Sequence, residues 1–229
     1  MTIAAFNLRL SITTAVLLVA APLARADTIY TNGPTNGTFS ALTINNGVQT
    51  EDSFTVAATS TLTSVTFGDW VTDGDQALAI DWAIVPSEGS QTPVCSTCSG
   101  TASLTGVLDT TNSLAKVYDE TFSLPDITLG PGTYWLELQD ELLSEGDAAY
   151  WDVNGGPSMV WNSAVGDLSD NACNVSSTGT CSNAFTIYGT VDATATPEPG
   201  SLALFGSAAA AIATQLRRRN RTSAHGGIV

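Results

Sequence analysis

Apolar and polar residues alternate along this chain in short bursts. Ser53-Phe54-Thr55-Val56 alternates strictly, and Val65, Phe67 and Asp69 share one parity of the next segment. From Ala77 to Val85, Leu78, Ile80, Trp82 and Ile84 take one parity while Ala79, Asp81 and Ala83 take the other. Tyr118, Glu120, Phe122 and Leu124 repeat the pattern, as do Tyr134, Leu136 and Leu138, and then Phe185, Ile187 and Val191. Successive side chains of a strand point to opposite faces, so a period of two predicts half-buried strands. No long segment carries a helical period.

Turn chemistry separates these bursts: Thr31-Asn32-Gly33-Pro34, Asp73-Gly74-Asp75, Gly130-Pro131-Gly132 and Asn154-Gly155-Gly156-Pro157. Glycine supplies positive φ and proline fixes φ at such corners. Strands joined by turns without helices imply antiparallel sheets stacked on one another. The expectation is an all-β ectodomain over residues 27–191, an antiparallel β-sandwich of jelly-roll type, with a closed barrel as the alternative.

The two ends read differently. Arg9, the apolar run Ile12 to Ala21 and the small residues Ala24 and Ala26 have the layout of a secretory signal peptide over residues 1–26, cut after Ala26. The run is well short of the ~20 residues that span a bilayer. At the other end a small polar linker, residues 192–196, precedes Pro197-Glu198-Pro199-Gly200. The prolines forbid a regular helix there, and Pro199-Gly200 reads as a turn. Residues 201–216 carry no charge and are rich in alanine, the best helix former. At ~1.5 Å per residue they make a helix slightly shorter than the ~30 Å hydrocarbon core. Snorkelling by Arg217, Arg218, Arg219 and Arg221 closes that gap, and the positive-inside rule keeps these arginines cytoplasmic. Residues 222–229 trail behind.

A short Pro-Glu-Pro motif, one weak membrane helix and an arginine stop, in that order at the extreme C-terminus, resemble the PEP-CTERM sorting segment of bacterial exported proteins. Thr196 stands where many members carry Val or Ile. The resemblance implies recognition of residues 197–221 by an exosortase, a membrane transpeptidase-like cysteine protease. It also implies transient anchoring in the inner membrane, cleavage near Pro197, Glu198 and Pro199, and delivery to the cell surface or an extracellular polysaccharide matrix. Glu198 is the one charge in the motif and a natural recognition point.

Charge narrows the partners. All 22 acidic residues lie between Asp27 and Glu198, against one body cation, Lys116. Nucleic acid is excluded as a partner, because displacing phosphate counterions needs Lys and Arg. Such a surface attracts cations, and calcium takes hard oxygen ligands; Asp73 and Asp75 in Thr72-Asp73-Gly74-Asp75 are the candidates, though the rest of an EF-hand loop is missing. The four cysteines, Cys95, Cys98, Cys173 and Cys181, read as disulfides in an exported chain. The pairs Cys95–Cys98 and Cys173–Cys181 are favoured because each lies within one short Ser/Thr/Gly-rich loop.

The single histidine, His225, falls in the tail, which removes Ser-His-Asp and Cys-His catalysis from the body. Carboxylate chemistry is what remains, with Asp140, Glu141, Glu145, Asp147 and Asp152 as the acids closest in sequence. Tyr134-Trp135 and Tyr150-Trp151 suggest a second role: if one ring of each pair faces outward, Trp135 or Trp151 can stack on a sugar. The expectation is therefore a non-enzymatic surface or matrix protein without a resident cofactor. A carbohydrate- or calcium-binding module is the alternative.

Overall fold

The computed structural model describes residues 26–37, 40–111, 115–167 and 181–192. Its strands are β1 (Asp27–Thr31), β2 (Ser40–Thr43), β3 (Gln49–Val56), β4 (Ser60–Val71), β5 (Ala77–Val85), β6 (Ser99–Ser103) and β7 (Thr105–Thr111). They continue as β8 (Lys116–Leu129), β9 (Gly132–Leu143), β10 (Tyr150–Asn154), β11 (Val160–Asn162), β12 (Gly166–Asp167), β13 (Ser182–Asn183) and β14 (Phe185–Val191).

Two antiparallel sheets pack as a sandwich. In the first, β4 pairs with β8 along one side and with β14 and then β10 along the other. Strand β7 adds to β8, β1 adds to β14, and β10 also receives β2 and β13. The second sheet has the order β12-β11-β3-β9-β5-β6. Every pairing among the described residues is antiparallel, as short turn connections allow. The sandwich, rather than the barrel alternative, is the architecture.

The alternation in the sequence builds the core. Phe54 and Val56 of β3, Val65 and Phe67 of β4, Ile80, Trp82 and Ile84 of β5, Phe122 and Leu124 of β8, and Leu136 and Leu138 of β9 all point between the sheets. Phe67 meets Phe122 and Trp151 edge-on at centroid distances of 6.2 Å each, and Trp82 stacks on Phe122 at 6.0 Å. These are the favourable offset geometries of aromatic pairs.

Parity does not hold through whole strands. In β8, Phe122 and Leu124 are inward, yet so are Ile127 and Leu129. Between them lie Pro125 and Asp126, the latter at φ 50°, opposite a register shift in β4 between Leu62 and Ser64. In β9, Asp140 at φ 46° does the same, so that Glu141 and Leu143 follow Leu138 toward the interior. These are β-bulges, where an extra residue re-aims the strand. Proline is tolerated at such a break because it has no ladder N–H to lose.

Two expectations about β5 change. Leu78, expected on the core face, is 44% exposed. The register of β5 against β9 shifts between Ala77 and Ala79, which ends the alternation there. On the opposite parity Ala83 and Val85 are buried, because Trp135 and Trp161 cover that outer face.

Truncating the aromatic at the centre of the core tests this packing. Phe67→Ala should cost about 3–5 kcal/mol, the range for deleting a large buried aromatic. Urea unfolding of the variant against the parent measures it.

Candidate functional site

A sandwich with one lysine cannot pair its acids with cations. Among the described residues the one salt bridge joins Lys116 Nζ to Asp73 at 2.7 Å on the surface. Yet Glu51, Asp52, Asp69, Asp75, Glu120, Glu137, Glu141 and Asp152 are all buried. A buried ionised carboxylate without a partner is costly, so each group must find donors or keep its proton.

Three of these acids meet inside the sandwich. Asp69 follows Phe67 on the inner face of β4, Glu120 precedes Phe122 on β8, and the β9 bulge turns Glu141 inward from the other sheet. Both oxygens of Asp69, both of Glu141 and Oε2 of Glu120 are buried and receive no hydrogen bond from an amide, a hydroxyl or a cation. A protonated Glu141 is the donor that Asp69 meets. Burial pushes Asp69 up to about 8; the hydrogen bond from Glu141 works against the rise, and the charge of Glu120 adds to it. Burial and then the charge of Asp69 push Glu141 well above the ordinary range. Burial alone raises Glu120 to about 7. The cluster is held by protons at neutral pH. No group of three or more His, Cys, Asp or Glu among the described residues has a metal-holding arrangement.

Asp52 meets the same problem with amides and hydroxyls at Oδ2, while its Oδ1 is buried without a donor. It shares a buried cluster with Asn32, Ser158, Ser182 and Asn183. Asn32 Nδ2 donates to Ser158 Oγ at 2.5 Å, to the Asn183 carbonyl at 2.7 Å and to Ser182 Oγ, and the two serine hydroxyls lie 2.6 Å apart. Asn183 N donates to Asp52 Oδ2 at 2.5 Å. Burial still raises Asp52 well above its ordinary value. Asp152, on the outer face of β10, accepts from Trp70 Nε1 at 2.6 Å, Asn36 N at 2.8 Å and Gly37 N at 3.2 Å. Burial nevertheless lifts it to about 6. Gly68 lets this loop close down, since a Cβ there would sit 2.8 Å from Asp152 Cβ and Thr35 Oγ1.

The calcium candidates have other work. Asp73 carries the Lys116 ion pair. Asp75 accepts from Ser144 Oγ at 2.6 Å, from Gln76 N and Glu145 N at 2.8 Å each, and from Asp147 N at 3.3 Å. Burial works to raise Asp75, but these donors outweigh it and hold the group at about 2. The carboxylate thus splices the β4–β5 turn to the loop after β9. The acids singled out in sequence are not brought together. Asp140, Glu145 and Asp147 are exposed, Glu141 is interior, and Asp152 lies on the outer face of the first sheet.

The aromatic expectation is corrected. Trp151 is 0% exposed, donates Nε1–H to the Ala184 carbonyl at 2.9 Å and packs edge-on against Phe67 and Phe185. Trp135 does lie on the outer parity of β9, but it is buried against Ala83, Val85 and Trp161. Neither indole is free to stack on a sugar. An indole buries more area than any other side chain, and here that gain decides the placement.

Cys95 and Cys98 are joined by a disulfide, Cys95 exposed and Cys98 in the core. Cys181 is also disulfide-bonded, and Cys173, its expected partner, lies outside the described residues. So do the signal-peptide residue Ala24, the motif residues Pro197, Glu198 and Pro199, the helix 201–216, and Arg217, Arg218 and Arg219. Ala26 is described and exposed, directly before β1.

Residues 195–219 match the family model described as PEP-CTERM protein-sorting motif. The chain carries a PEP-CTERM sorting motif. The match covers the C-terminal segment and not the sandwich, which ends at Val191, with Asp192 N still bonded to the Thr59 carbonyl at 2.9 Å. A PEP-CTERM motif implies an exported protein that an exosortase sorts and processes at the membrane. No curated protein matches the chain.

The buried acids make stability fall as pH rises. Unfolded, they titrate near their ordinary values of 3.8 for Asp and 4.5 for Glu. Folded, Asp69 titrates at about 8 and Glu120 at about 7. Between those limits the folded chain holds protons that the unfolded chain has released, so rising pH favours unfolding. Below about pH 4 both states are protonated and the effect vanishes. Urea unfolding at pH 5, 6.5 and 8 should show a steady loss of stability. Asp69→Asn should flatten that slope by up to about 1.4 kcal/mol per pH unit.

Proposed function

We propose that this protein is a non-catalytic resident of the cell surface or the extracellular polysaccharide matrix. Its C-terminal motif delivers it, and its β-sandwich is the part that remains after processing. The observation that carries the reading is the order of parts. A closed antiparallel sandwich is followed within a few residues by the sorting motif. A compact body at the end of a cleavable membrane segment is what a sorting system can release intact.

Two features support the non-catalytic part. The body contains no histidine, and its raised carboxyls are spread over both faces of the sandwich and its interior. Asp69 and Glu141 are buried between the sheets, where a shared proton joins β4 to β9, and Glu120 borders a small pocket beside Gly106 and Tyr118.

Fractionation of native cells tests the reading. The full chain should reach the surface or matrix fraction with a C-terminus near Pro199, read by mass spectrometry. A chain truncated after Ala195 should miss that destination. An intact Arg221 in the surface pool, or an unchanged destination after truncation, would overturn it. A panel of glycan substrates should show no turnover.

A further inference from the structure

The register of the second sheet writes out its outer face row by row. One row runs Thr101, Asp81, Gln139 and Gln49 across β6, β5, β9 and β3. The next runs Ser99, Ala83, Glu137, Glu51 and Trp161 from β6 to β11. Over the β3 side of this face folds the segment 86–98. Gly89 N donates to Glu51 Oε2 at 2.9 Å, and Gly89 lies against the Trp161 indole. Val94 N returns to the Ile84 carbonyl at 2.9 Å, and the Cys95–Cys98 disulfide closes the segment's last turn.

The segment covers only part of the face. Between it and β6 a cavity of about 410 Å³ stays open, bounded by Asp81, Gln91, Pro93, Thr101, Glu137 and Gln139. That volume lies in the range of small-ligand sites. Its chemistry is mixed in a particular way. Asp81 and Glu137 are acceptors, Gln91 and Gln139 carry amides that both donate and accept, and Thr101 adds a hydroxyl held toward Asp81. Ala83, Val85 and Pro93 supply a small apolar surface. The Glu137 side chain lines the cavity while only 6% exposed. Burial raises it to about 7, so it takes or gives a proton bond near neutrality.

We propose that this groove is a saccharide-binding subsite for neutral or amine-bearing sugars. A sugar ring presents vicinal hydroxyls that satisfy carboxylates and side-chain amides two at a time, and a C–H face that rests on small apolar residues. Charge sets the class. No Lys or Arg lines the groove, and the one body lysine lies on β8 of the other sheet, paired with Asp73. A uronate, sulfate or phosphate group would be forced against Asp81 and Glu137 and is rejected. An amine is attracted by the same pair. The sheet and the bonded segment fix the walls before any ligand arrives, which lowers the ordering cost of binding. Matrix residence supplies the setting for this site, but the site is defined by its own geometry.

Calorimetric titration of the full chain in detergent tests it, with cellohexaose, chitosan hexamer and oligogalacturonate hexamer as probes. Cellohexaose or the chitosan hexamer should bind with a dissociation constant below about 1 mM, and oligogalacturonate should not bind. Gln91→Ala and Gln139→Ala, on half-exposed or exposed positions, should each weaken binding at least about tenfold while the melting temperature is kept. Glu137→Gln should weaken it and reduce its pH dependence, the remainder belonging to Glu51, which lies opposite Glu137 in the register and is also raised to about 7. Failure of both neutral and amine probes at about 10 mM, equal binding of oligogalacturonate, or binding untouched by the glutamine variants would each overturn the proposal. Such a failure leaves the sorting reading intact, because that is read on cell fractions.

Discussion

The sandwich is organised by a scarcity of positive charge. With one lysine in the body, a buried carboxyl can be satisfied by a proton, by an amide or by a hydroxyl, and the fold uses all three. Asp69, Glu120 and Glu141 keep protons between the sheets. Asp52 leans on Asn183 N within a knot of asparagines and serines. Asp75 draws in three backbone amides and a serine. Each solution fixes a different junction: sheet to sheet, strand end to strand end, and turn to loop. Polar contacts therefore define how the layers register, while the aromatic core supplies most of the burial.

The bulges connect this electrostatics to the backbone. Without Asp140 in its left-handed conformation, Glu141 would follow the parity of Gln139 and face solvent. The same device in β8 brings Ile127 and Leu129 back to the core after Pro125. A strand long enough to run the length of a sandwich must twist, and a bulge lets it do so while keeping apolar residues inside. In β9 that correction carries an acid inward along with Leu143.

Much of the fold was legible from period two alone. The bounds of β5 and β14 coincide with the alternating segments Ala77 to Val85 and Phe185 to Val191, and the inward set of β4 was readable from Val65, Phe67 and Asp69. Short or polar strands were not: β6 reads Ser-Gly-Thr-Ala-Ser, and β13 is two residues long. Their pairing is decided by neighbours far along the chain. Burial of the acids was visible only as parity, since Asp69 and Glu120 share the core side with Phe67 and Phe122. The aromatic pairs misled because alternation says which ring changes face, not which outer face is roofed. Trp161 provides that roof for Trp135 from distant sequence, and Trp151 is the ring of its pair that faces the core. The sorting motif was fully legible, because its information lies in local order and position.

Strand β14 lies between β1 and β4, bonded antiparallel to both. Among the described residues it is also the last strand before the C-terminal segment. Tension applied through that segment runs along β14 and loads its two rows of hydrogen bonds in shear, all at once, instead of unzipping them one at a time. Rows broken together in shear resist more than rows opened bond by bond, so the pairing of β14 on both sides sets how the domain bears a pull from its C-terminal side.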